Sequence, residues 1–261
     1  MILYKYVDLE TARKILANQT VKFTHPYDFN DPFEVTSASY ESNEREYSDE
    51  GNSINRLKIS MCYGILSLSR SPTNPLMWAH YGRGQKMPHE NAIYLGQNNT
   101  AHGGMAIGID VNESGLNDEI ENILPAKFGN VIYTTTKPTS AFSESENLQL
   151  IEGLVSRYNP QYQEALQRLF LYKSSHWSYE EEVRVVRNIH RNPKGEHNDR
   201  GIQKINMNSF KEIYIGSSHS HDKNHSRILF NEIKSSLPDC KVLLCNTYGK
   251  TWEINFDEIK S

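Results

Sequence analysis

The sequence is poor in the features that mark several common functional classes. Its three cysteines, Cys62, Cys240 and Cys245, are an odd number that supplies neither a disulfide framework nor a four-thiolate zinc site, so they are expected as reduced core residues. No run reaches the about 18 to 20 consecutive apolar residues of a membrane span. Lys5 and Asp8 interrupt the first apolar stretch too early for a secretory core, which points to a cytosolic protein. Basic charge is not in excess, with 28 Lys and Arg against 32 Asp and Glu and a formal net charge of −4. A sequence-independent grip on nucleic acid therefore has no visible basis beyond a local groove. Gly103, Gly104 and Gly108 punctuate a strand without opening a helix, so they fit neither a phosphate-binding loop nor a dinucleotide fingerprint, and no Gly-x-Ser-x-Gly elbow occurs. Serine hydrolase, kinase and dehydrogenase are poor readings.

What the chain does hold is aromatic area. Fifteen Tyr, 9 Phe and 3 Trp supply large buried surfaces to a 261-residue chain whose hydrophobic fraction is only 37%. Apolar spacing predicts a strand over 2–6, a helix from the N-cap Asp8 to Asn18, and a strand over 21–24. An aromatic loop with two prolines follows over 25–34. Residues 34–51 are rich in Ser, Glu and Asn and predict a solvated helix or excursion without visible chemistry. Further strands are predicted over 61–69, 104–110, 131–134, 182–189, 202–207, 212–216, 241–245 and 252–256. Asn74-Pro75 opens a short helix. Residues 144–173 read as two helices broken at Asn159-Pro160, and 222–237 as an amphipathic helix with Ile228, Leu229 and Ile233 inward. Residues 82–103 look like a loop insertion. With no repeat, linker or low-complexity tail, the prediction is a single α+β domain over 1–261 whose mixed, mainly antiparallel sheet is flanked by helices.

Three clusters could carry chemistry. In 177–186, alternation sends Val183 and Val185 to one face and Glu180, Glu182 and Arg184 to the other. That second face is either a solvated strand with a weak ion pair or the floor of a cleft that Trp177 could wall. The two carboxylates raise one another's pKa while Arg184 opposes the shift, and the sequence leaves the balance open. Ser69 precedes a short helix on which Trp78 and Tyr81 share a face, as core packing or as a stacking surface for a planar ligand. His221 and His225 are four apart, as metal ligands on a helix would be, but no His-Glu-x-x-His arrangement accompanies them and the neighbouring Ser and Asp serve equally as a helix cap. No metal site is predicted.

The blocks Leu3-Tyr-Lys-Tyr6, Phe29-Asn-Asp-Pro-Phe-Glu34, Ser67-Leu-Ser69, Met77-Trp-Ala-His-Tyr81, Trp177-x-x-Glu180-x-Glu182-x-Arg184 and Lys211-Glu-Ile-Tyr-Ile-Gly216 resemble, in order, the bacterial family known as domain of unknown function 2971. One departure is visible, since 82–102 lengthens a link that is a short turn in the family. More remotely, the order of elements resembles the ADP-ribosyltransferase fold, in particular the branch of toxins that modify DNA. That resemblance implies NAD as substrate and a transferase or glycohydrolase acting as a toxin or phage-defence effector on a nucleic-acid or protein acceptor. Glu182 would stabilise the oxocarbenium-like ribosyl cation and Glu180 would activate the acceptor as a base. Tyr6, Trp78 and Tyr81 would wall the nicotinamide, Asn30, Asp31 and Ser69 would orient ribose and amide, and Lys5 or Arg184 would meet the pyrophosphate. Because Lys5 and Tyr6 alternate on a strand, at most one of them is expected in the site. The competing readings are a non-catalytic nucleotide- or protein-binding module and, last, a metal-dependent nuclease built on Asp31, Glu34 and Glu182.

Overall fold

The computed structural model describes residues 1–35, 49–84, 100–138, 149–190 and 201–259, with the side chains of 49–55 not described. Seven strands form one sheet in the order β11-β10-β9-β4-β1-β3-β7. These are β1 (Ile2–Val7), β3 (Tyr63–Ser69), β4 (Met105–Asp110), β7 (Glu182–Asn188), β9 (Phe210–Ile215), β10 (Lys241–Asn246) and β11 (Asn255–Glu258). Within this sheet only the β9/β10 pair is parallel. The remaining strands make two small ribbons, antiparallel β2 (Thr20–Lys22) with β8 (Ile202–Lys204) and parallel β5 (Ile132–Thr134) with β6 (Tyr172–Ser174). The chain is thus α+β with a mainly antiparallel principal sheet.

Helix ends follow side-chain capping. The Asp8 carboxylate accepts from the Thr11 N–H to start α1 (Leu9–Asn18), and Gln19 ends it in the left-handed region. Asn74 caps α3 (Pro75–His80), with proline in the first turn where a missing N–H costs nothing. Asp222 caps α5 (Lys223–Ser236) through the N–H groups of Asn224 and His225. Helices α2 (Asp49–Cys62) and α4 (Gln163–Phe170) complete the set used below.

Alternation along the strands divides the core. Leu3, Val7, Leu66, Leu68, Ile107, Val183 and Val185 face α1 and α5 on one side of the sheet. The opposite side carries two separate packings, one around Ile65, Val186, Leu166 and Phe170 and another around Tyr6, Ala106, Tyr214 and Trp78. A cleft opens between those two packings. Its position is set by β1 and β3, which are neighbours in the sheet yet share only the register pair Tyr4↔Ser69, whereas β1 pairs with β4 from Ile2 to Val7 and β3 with β7 from Tyr63 to Asn188.

Several local expectations need correction. Met61 and Cys62 end α2 instead of opening β3. Of the two helices expected in 144–173, residues 149–151 are helical and 139–148 lie outside the described residues; Gly153 turns the chain at φ +66, Asn159-Pro160 lies in the break before α4 at Gln163, and 172–174 form a strand instead of more helix. Ile228 is 53% exposed, because one residue's rotation of about 100° carries it off the stripe of Leu229 and Ile233. Trp252 is 99% exposed and precedes the last strand. Within the expected excursion of 34–51, residues 36–48 lie outside the described residues. The 82–103 stretch leaves and returns at a bridge between Gly84 and Thr100, with 85–99 outside the described residues. Cys240 and Cys245 are buried, free thiols.

Candidate functional site

The cleft has a volume of about 190 Å³ and takes Lys5 and Tyr6 from β1, Asn30, Asp31 and Glu34 from the loop after β2, Ser69 from β3, and Tyr81 just beyond α3. Lys173 of β6, Trp177 and Glu180 from the 3-10 turn Ser175–Glu180, and Glu182 of β7 complete it. Of the nine residues predicted for the site, seven therefore line one cavity: Tyr6, Asn30, Asp31, Ser69, Tyr81, Glu180 and Glu182.

Its floor is a buried ionic network. The Arg184 guanidinium donates through Nε to Glu182 Oε1 at 2.8 Å, through Nη1 to the Phe170 carbonyl at 2.6 Å, and through Nη2 to Glu34. The Lys173 ammonium meets three carboxylates at once: Glu180 at 2.5 Å, Glu182 at 2.9 Å and Glu34 at 3.1 Å. Tyr81 Oη donates to Glu180 Oε1 at 2.7 Å. Three carboxylates stand against two firmly held cations, all of them almost wholly buried. Such a cluster is tolerable only because each charge finds partners, since an isolated buried ion costs several kcal/mol.

The same burial separates the two glutamates. For Glu182, burial alone would raise the pKa, but the charges of Arg184 and Lys173 override it and hold the carboxyl well below the usual range. For Glu180 burial wins, with the Glu182 charge adding to the rise against the pull of Lys173 and Tyr81. Glu182 accepts Arg184 Nε, Arg184 Nη2, Lys173 Nζ and the Ser67 hydroxyl, which uses the about four lone-pair positions of a carboxylate. Among the described residues Glu180 accepts only from Tyr81 and Lys173, one on each oxygen, which leaves a lone pair open on both. Two carboxylates with pKa values driven apart are the arrangement in which one stays ionised and the other exchanges a proton.

Where expectation and structure part, the reasons are geometric. Glu180 is not on the strand: Glu181, at φ +45, turns the chain between the 3-10 turn and β7, and Glu180 reaches the cleft from that turn. The face of Glu182 and Arg184 is not solvated, Arg184 being 1% exposed. Arg184 lies beneath the cleft instead of in its wall. Trp78 is fully buried, donates to the Pro72 carbonyl at 2.8 Å and stands edge-on to Tyr6, so it backs the wall and offers no free ring face. Lys5 and Tyr6 both line the cleft despite their alternation, because where β1 and β3 part, the Lys5 ammonium reaches across to the Ser67 carbonyl at 3.0 Å. His221 lies outside α5 and contacts Tyr248 through its Nδ1, while His219 and His225 pair with ring centroids 4.9 Å apart. Among the described residues no group of His, Cys, Asp and Glu is arranged to hold a metal. Between Glu34 and Glu182 the reason is visible, since Lys173 and Arg184 pair with both carboxylates.

Lys173 and the structural role of Glu34 went unread in the sequence. Glu34 begins a stretch whose composition predicts a solvated segment, although it closes the Phe-Asn-Asp-Pro-Phe-Glu block. Lys173 has no local signal beyond its place four residues before Trp177, over whose ring its ammonium sits at 5.3 Å.

The fold and the site together define an α+β protein with an aromatic-walled cleft over a buried ionic floor. The model of one family, described as a protein of unknown function (DUF2971), matches residues 77–185. The match supports the family resemblance over α3 to β7, a span that includes Tyr81, Lys173, Glu180, Glu182 and Arg184 but not Lys5, Tyr6 or Glu34. No curated protein and no solved structure matches the chain. No described helix is long and apolar enough to cross a membrane.

Proposed function

We propose that this chain is a cytoplasmic NAD-consuming enzyme, an ADP-ribosyltransferase or NAD glycohydrolase serving as a toxin or phage-defence effector. The observation that carries the reading is the pair Glu180 and Glu182, one carboxylate held ionised and its neighbour driven toward the proton-bearing form, at the base of a cleft walled by Tyr6, Tyr81 and Trp177. Loss of nicotinamide from NAD develops positive charge on the ribose, and a fixed, water-shielded carboxylate favours that state over the ground state. Glu182 and its partners supply the fixed negative potential. Glu180, with open lone pairs and the Tyr81 hydroxyl on its other side, takes the proton from the attacking water or acceptor. Asn30, Asp31 and Ser69 orient the ribose and amide. The order of β1, α1, β2, aromatic loop, β3, α3 and β7 is the order the ADP-ribosyltransferase resemblance requires.

The test is nicotinamide release from NAD by the purified chain, with DNA, RNA and protein extract supplied as acceptors and Glu180→Gln and Glu182→Gln compared at equal folding by circular dichroism. Release that either substitution abolishes supports the reading. A second reading, a non-catalytic nucleotide- or protein-binding module, is favoured by one observation: the lone pairs of Glu182 are already taken. NAD binding by calorimetry without release would select it.

A further inference from the structure

Two lysines line the cleft, and their surroundings differ sharply. Lys173 is held by three carboxylates. Lys5 has one hydrogen bond, to the Ser67 carbonyl at 3.0 Å, and among the described residues no carboxylate lies within ion-pair distance of it. The reason is competition: the nearby carboxylates are committed to Lys173 and Arg184, so the half-buried Lys5 has no counterion of its own among the described residues. The charges that act on it are Glu182 of β7, which favours the ammonium, and Lys22 of β2, which opposes it, while burial is the largest influence and favours the neutral amine. With no counterion at hand and a cavity in front of it, Lys5 gives up its proton more readily than an exposed lysine, and the neutral amine is the form that attacks carbonyl carbon.

We propose that Lys5 is a covalent capture site for aromatic aldehydes and related planar carbonyl compounds admitted to the cleft. The Lys5 nitrogen lone pair forms a bond to the carbonyl carbon, the carbonyl electron pair moves to oxygen, and an amine proton passes to that oxygen to give the carbinolamine. Protonation of the hydroxyl by water in the cleft expels water. The C=N bond remains, and deprotonation of the iminium leaves the imine, so one water is formed and no electrons are gained or lost. The rings of Tyr6, Tyr81 and Trp177 supply the walls that favour a flat carbonyl compound over an aliphatic one. The site does not depend on the NAD reading, since the capture step needs neither nicotinamide loss nor an acceptor.

The experiment is reductive trapping of the full chain with 4-hydroxybenzaldehyde and sodium cyanoborohydride, followed by digestion and mass spectrometry of every lysine. The expected result is selective modification of Lys5 at pH 7, at least tenfold faster than exposed Lys14, with a rate that rises less steeply to pH 9 than that of Lys14. Lys5→Arg removes the fast phase and leaves the slow labelling of the other lysines. Hexanal trapped under the same conditions is expected to label Lys5 several-fold more slowly. Labelling of Lys5 no faster than Lys14 in the folded wild-type chain would overturn the proposal whatever the variant does, and equal rates for the two aldehydes would overturn the aromatic preference. Nicotinamide release measured on the same preparation reports the NAD reading separately.

Discussion

Glu34 and Arg184, 150 positions apart in the chain, join at the floor of the cleft, where the guanidinium also holds Glu182 and the Phe170 carbonyl. This pairing ties the aromatic loop that follows β2 to an inner residue of β7. Substitution of one member leaves the other buried without its full set of partners, which costs more than the pair contributes when intact. We expect Glu34→Gln to lower stability by about 2 to 3 kcal/mol and Arg184→Met by about 3 to 5 kcal/mol, the latter leaving three carboxylates around Lys173 alone. Urea unfolding with an unchanged slope checks both, and midpoints equal to wild type would mean the network carries no stability.

The acid limb of stability follows from Glu182. Its folded-state pKa lies below the unfolded one, so its contribution is fully present above the unfolded carboxylate pKa and is lost as pH falls through the folded value. Glu180 has the opposite sign: its folded pKa is raised, so its contribution is present in acid and is lost as pH rises through the folded value. We therefore expect Glu182→Gln to flatten the fall in unfolding free energy between about pH 5 and pH 2, and Glu180→Gln to lessen a loss on the neutral side. Unfolding curves at unit steps of pH distinguish the two. An identical acid limb in wild type and Glu182→Gln would contradict the pairing.

Tyr81→Phe deletes the hydroxyl that bonds Glu180 and nothing else of the ring. A single hydrogen bond to a charged acceptor in a buried site predicts a loss of about 1 to 2 kcal/mol. It also predicts a further rise in the Glu180 pKa, because the donor that favours its ionised form is gone. Carbon-13 titration of the glutamate side chains reads this directly, and a fall in the Glu180 value would show that the hydroxyl serves the protonated form.

Gly129 is required by close approach. A methyl group placed there would stand 1.8 Å from the Arg184 carbonyl oxygen, a backbone atom that cannot turn aside. The Arg184 N–H also donates to the Gly129 carbonyl at 2.8 Å. We expect Gly129→Ala to cost about 2 to 4 kcal/mol and to displace Arg184, seen as loss of stability together with disturbed Glu182 titration. A variant as stable as wild type would show that the two segments separate without penalty.

Much of the candidate site is legible in the sequence, for reasons that differ by residue. Glu182 was readable because strand alternation is a local rule, and Val183 and Val185 on the other face left it and Arg184 together. Tyr6, Asn30, Asp31, Ser69 and Tyr81 came from spaced blocks that resemble one family in the right order. Glu34 and Lys173 were missed because their role is to neutralise charges that come from other segments, which no local pattern encodes. That Lys5 and Tyr6 share the cleft is not legible, because alternation assumes a paired strand, and β1 and β3 separate just there.

The sequence by itself determined the elements that depend on neighbours within a few residues: the capped helices at Asp8, Asn74 and Asp222, the alternating strands, and the α+β class. It did not determine the environment of the charges. Whether Arg184 faces water or a closed floor, and which of Glu180 and Glu182 is the weaker acid, is decided by the tertiary structure alone. Burial and the distances between ions from separate segments set those energies, and both exist only once the chain has folded.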